Sequence, residues 1–159
     1  MGQPVFWSAL LAVSVAGVGV RVLARRPLLP RLAKELGRWE LAVAGASLLA
    51  LVFHCLAMFF AGWVDVVPFL RAPAAAIRAM GTVSQVAYWV PAALLLVAVR
   101  RVWPIAVAVL AVMLAGVGVT MYWPFALTTH LAWIAAAVVG VVVIASVLVR
   151  ARPSTTAAA

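Results

Sequence analysis

Acidic side chains are almost missing from this sequence: Glu35, Glu40 and Asp65 stand against twelve Lys and Arg. No two of the three share a depth along the apolar segments, so no carboxylate pair for acid–base chemistry can be placed. Cysteine is scarcer still. Cys55 is the only one, which excludes an internal disulfide and a thiol oxidoreductase working through a cysteine pair. It adjoins His54 on a diverging helical face, and neither a Ser–His–Asp set nor an H-E-x-x-H pattern can be assembled. An enzyme is not expected. Charge of either sign amounts to 9% of the residues beside 69% hydrophobic ones. A soluble domain keeps roughly 25% charged residues to cover its surface, so a water-soluble fold is excluded.

What fills the chain is apolar blocks of near-membrane length, with almost no charge inside them. Five spans are predicted, at roughly 5–23, 40–63, 83–99, 104–121 and 126–149. The fold class is therefore all-α: a polytopic transmembrane helix bundle over residues 1–152, with a disordered tail at 153–159. The first apolar run has no basic residues ahead of it, so a cleaved signal peptide is not expected. Phe6 breaks the myristoylation pattern.

The net charge of +9 is distributed in a way that rejects nucleic acid as a partner. The cations sit at the ends of apolar blocks. The first connection, "RVLARRPLLPRLAKELGR", holds Arg21, Arg25, Arg26, Arg31, Lys34 and Arg38; "RRVWP" holds Arg100 and Arg101; the end of the chain holds Arg150 and Arg152. With five crossings these ten lie on one side, and Arg71 and Arg78 alone lie on the other. Basic loops stay in the cytoplasm, which puts the N-terminus outside and the C-terminus cytoplasmic. Tryptophans agree: Trp7, Trp63 and Trp123 fall at predicted outer ends, Trp39 and Trp103 at inner ends. The Arg25, Arg26, Arg31, Lys34 and Arg38 loop is expected to meet anionic headgroups or a partner.

The outer connection at 64–82 contains Pro68 and Pro73; an ordered loop is expected there, with a short interfacial helix over "PAAAIRAM" as the alternative. "AGVGV" occurs at 16–20 and 115–119. Mid-membrane helices cannot supply the strand-to-helix turn of a phosphate loop, and the flanks do not match as an inverted repeat would. Ala12, Ala16 and Gly19 are the expected close-packing positions on the first span.

Wound at about 100° per residue, the second span lines up Glu40, Ser47, His54, Met58 and Asp65 on one stripe. Ionisable groups inside a membrane face protein or a wet cavity, so this side is expected to be buried. Gln85 and Tyr88 share a face of the third span with Ser84 close by, and His130 lies one turn into the last span. The interhelical polar set is thus Glu40, Ser47, Asp65, Gln85 and Tyr88. The ordinary role of an intramembrane histidine is a hydrogen bond to a neighbouring helix. The chemical alternative is metal: His54 and Met58 at i and i+4 converge, and imidazole with thioether suits copper, with His130 a further donor. Haem between His54 and His130 is disfavoured because their depths differ.

The pieces "RRPLLPRLAKELGR", "FHCLAMFF" and "TTHLAW" come in an order that resembles an uncharacterised family of small actinobacterial multi-pass membrane proteins with a His/Met-bearing second helix. The Ala/Val/Arg-rich composition also fits a high-GC bacterium, so the cytoplasmic (inner) membrane is the expected location. The resemblance implies no activity. The expected function is a non-catalytic integral membrane subunit that assembles or stabilises a larger complex, with a copper-dependent or redox enzyme as the favoured kind of partner. The alternatives are a stand-alone copper- or haem-binding protein of metal trafficking or electron transfer, and a proton-coupled small-solute transporter.

Overall fold

The computed structural model describes residues 3–24, 29 and 31–151. Arg25, Arg26, Arg152 and the expected tail at 153–159 lie outside the described residues. In chain order the elements are α1 (Gln3–Ala24), β1 (Lys34–Leu36), α2 (Arg38–Phe59), α3 (Ala61–Val64), α4 (Pro68–Arg78), α5 (Thr82–Ala98), α6 (Pro104–Tyr122), α7 (Leu127–Val143) with a π-helical turn at Ile144–Leu148, and β2 (Val149–Ala151). The chain is helical in character, and among the described residues four helices are long and apolar enough to cross a membrane. The number is five if the bent pair α4–α5 makes one crossing.

By internal contacts the chain forms two compact units. A terminal unit takes residues 1–38 and 99–159, and a central unit takes residues 39–98.

In the terminal unit α7 packs against both α6 and α1. Glycine makes these approaches possible. A Cβ on Gly116 would lie 2.3 Å from the ring of Trp133, and one on Gly17 would lie 2.2 Å from Val142 Cγ1. Both are the first glycine of an "AGVGV", and both face α7. Within the chain, α1 approaches α7 through Gly17 and not through the expected positions: Ala12 and Ala16 are exposed and a Cβ on Gly19 would meet nothing within 4 Å. Lipid is as apolar as leucine, so such seams are held by close van der Waals packing and a few hydrogen bonds. Here Ser146 Oγ donates to Gly17 O at 3.2 Å and Arg21 Nη2 donates to Val149 O at 3.3 Å.

The first connection is not a plain loop. β1 pairs in parallel with β2, with Lys34 opposite Val149, Glu35 opposite Arg150 and Leu36 opposite Ala151. The Leu29 amide also donates to Val147 O at 3.3 Å, and Leu36 is buried. The basic loop and the end of the last span are thus fastened together.

The central unit departs from the predicted boundaries. The second span was expected to run to residue 63, but α2 stops at Phe59 and Phe60 leaves helical geometry (φ −129°, ψ 45°). Residues 68–78, where an ordered loop was the first expectation, are helical. Pro68 occupies the first turn, where its missing N–H costs nothing and its fixed φ suits the helix. α4 then meets α5 at 98°, the turn passing through Met80 at φ +56°.

Candidate functional site

In the central unit, Ala44, Ser47, His54 and Ala57 are the buried residues of α2, spaced three, seven and three apart on one side of the helix. His54 is 2% exposed. Its ring meets that of Tyr88 edge-on, with centroids 5.7 Å apart at 67°. Tyr88 lies one turn beyond Ser84 on α5, and both are buried. Nδ1 of His54 has no hydrogen-bond partner among the described residues, although the residue is engaged through other atoms. The imidazole side of α2 is therefore turned toward polypeptide, as the stripe predicted.

The rest of that stripe differs. Asp65 is not on α2 at all: it follows the single turn of α3, where its carboxylate accepts two hydrogen bonds from Arg78 Nη2 at 2.9 and 3.0 Å. Arg71 donates through Nε to the Asp65 backbone carbonyl. Arg78 Nη1 reaches Ala57 O in the last turn of α2 at 3.3 Å. One guanidinium thus caps the carbonyl end of α2 and holds the following corner. Met58 is half-buried against the cluster of Ala57, Val64, Ala74 and Ile77, the packing role of a flexible thioether. Glu40 is half-buried in the first turn of α2. Gln85 is exposed, which removes it from the interhelical polar set; Ser84 takes its place.

In the terminal unit His130 is buried on the first turns of α7 and faces Thr120 on α6, Nδ1 to Oγ1 2.9 Å. The Thr120 hydroxyl also lies 2.7 Å from Gly116 O and 3.1 Å from Val117 O. Two oxygens at 2.7 Å need a proton between them, so the single hydroxyl hydrogen goes to Gly116 O. Nδ1 is then the donor to Oγ1, and in the neutral ring the lone pair sits on Nε2. Thr120 was not singled out from the sequence. A hydroxyl four residues after a glycine in an otherwise apolar span is the signal that could have found it, because it can bond back to its own helix.

The proposed metal donors fall in both units: His54 and Met58 in the central one, His130 in the terminal one. Among the described residues no three His, Cys, Asp or Glu converge as a metal-binding group. Cys55 is a half-buried free thiol. Of the basic loop, Arg31, Lys34 and Arg38 are exposed. Each unit offers one polar centre: an imidazole against a phenol ring in the central unit and an imidazole tied to a hydroxyl in the terminal unit. Comparison with known proteins finds no matching protein family, no matching curated protein and no matching solved structure.

Proposed function

We propose that this chain is a non-catalytic integral membrane subunit that assembles or stabilises a larger complex in the cytoplasmic membrane of a bacterium. The observation carrying this reading is how the polar residues are used. His130 is spent on Thr120 across the α6–α7 seam at 2.9 Å, and Asp65 is spent on Arg78 at a helix corner. Interhelical bonds of this kind average about 0.6 kcal/mol in membranes; they specify packing more than they stabilise it. A second support is α1, whose seam with α7 leaves the rest of the helix outward, including an open groove lined by Ser14, Val15, Val18, Gly19 and Val22. Ser14 and Gly19, the two small residues among its valines, allow a neighbouring helix to approach there.

Five crossings with the N-terminus outside complete the reading, and parity supports the number. β1 and β2 are paired, so they share a side of the membrane. Between them α2, α6 and α7 make three crossings. Three would leave the strands on opposite faces, so α5 makes the fourth, and α1 is the fifth of the chain. The basic ends then fall together in the cytoplasm.

Purification in mild detergent tests the function. Other membrane proteins are expected to copurify; a stable lone monomer with no companions would overturn the proposal. The second reading, a copper- or haem-binding protein, is favoured by the Thr120 contact, because metal-bound histidines commonly donate their other ring N–H. Stoichiometric copper or a Soret band in the purified protein would put that reading first.

A further inference from the structure

We propose that α3 and α4 form a membrane-surface arm: they lie along the outer lipid–water boundary, with Trp63, Val66 and Phe69 seated among the lipids. The proposal rests on the five-crossing reading. If α5 crosses the membrane, α4, set at 98° to it, runs close to the membrane plane. Its eleven residues reach about 16 Å, roughly half of the hydrocarbon thickness, so it is not itself a crossing. A re-entrant hairpin of α4 and α5 would restore the odd number of crossings that the paired strands forbid.

The side chains are arranged for that position. Leu70, Ala74 and Ile77 make the inner face of α4, packed with Ala57 and Val64. Around the helix at about 100° per residue, Phe69 falls on one flank of this inner face and Arg71 on the other. Trp63, Val66 and Phe69 are 74%, 68% and 79% exposed, three large apolar side chains within seven residues. Left in water they would form an adhesive patch. In the proposed position they enter the same bilayer that covers the exposed apolar residues of α2 and α5. The opposite flank carries Arg71, exposed at the level where phosphate and water begin. The Asp65–Arg78 pair and the Arg78 bond to Ala57 fix the arm against α2, so its flanks keep their orientation.

The test uses the full chain in liposomes, with Cys55→Ala as background and single cysteines carrying a nitroxide. Labels at Val66→Cys and Phe69→Cys are expected to collide more often with oxygen than with a water-soluble nickel chelate. Labels at Ala72→Cys and Ala75→Cys are expected to show the reverse. Nickel access at Val66 and Phe69 would overturn the arm in favour of a surface awaiting a protein partner. Shielding of all four from nickel would overturn it in favour of a re-entrant segment. Arg31→Cys and Arg101→Cys, probed with a membrane-impermeant maleimide, separate failure of the topology from failure of the arm. Labelling from the same side keeps five crossings; labelling from opposite sides removes both.

Discussion

Gly116 and Gly19 occupy the same kind of sequence, "AGVGV", yet their surroundings differ completely. At Gly116 the ring of Trp133 lies where a Cβ would be, at 2.3 Å, and it is an indole held between helices. Gly116→Ala is expected to cost about 1–3 kcal/mol through overpacking. At Gly19 no atom lies within 4 Å, so the substitution is expected to be neutral or to stabilise by up to about 1 kcal/mol through helix propensity. Thermal melts of the two variants in one detergent check the contrast. Equal loss in both would mean that the α6–α7 seam is not held as described. Gly140→Ala should fall between them, because the Cβ would meet Met113 Sδ at 2.8 Å and a thioether can move aside.

Helices and their ends show where sequence reasoning holds and where it stops. Spans of about 20 apolar residues are set by bilayer thickness, and α1, α2, α6 and α7 lie within a few residues of their predicted limits, if the π-helical turn is counted with α7. The end of α2 was missed because the one weak helix former beside Phe60, Gly62, is no stronger a signal than the glycines inside the other spans, and the continuation to Asp65 made an attractive stripe. α4 was offered only as the alternative over "PAAAIRAM", and its start at Pro68 was missed because Pro73, inside the helix, reads as a first-turn residue. Burial of His54 and Tyr88 was legible from periodicity, whereas Gln85 and Ser84 differ by one 100° step that only packing decides. The corner built on Arg78 yields its own prediction. Asp65 is 41% exposed as a side chain, and surface pairs are worth about 0–1 kcal/mol, so Asp65→Asn should be mild. Arg78→Ala loses both carboxylate bonds, the cap on Ala57 and the packing of its stem, and should cost more. Limited proteolysis across residues 65–67 should follow the same order, wild type slowest and Arg78→Ala fastest. Equal rates would show that the corner does not depend on the guanidinium.

For the whole molecule, two short strands carry more information than their size suggests. A three-residue parallel ladder is marginal by itself, and no local pattern could have announced a pairing between positions 34–36 and 149–151. Its partners make it secure: Arg21 reaches Val149 O, the Leu29 amide reaches Val147 O, and Leu36 is buried. Replacing Leu36 with Asp is therefore expected to unfasten the basic loop, raising protease access around residues 29–34 while the apolar spans stay inserted. Unchanged access would mean that the loop is held without the ladder.

That fastening also imposes an order on biogenesis. β2 is synthesised after every span, so the segment behind α1 waits for its mate until the last helix has been threaded by the insertion machinery. Closure of the ladder thus follows insertion of every helix described between the two strands. A nascent protein stalled before Val149 would display its cationic loop untethered, a difference that quality-control proteases could read.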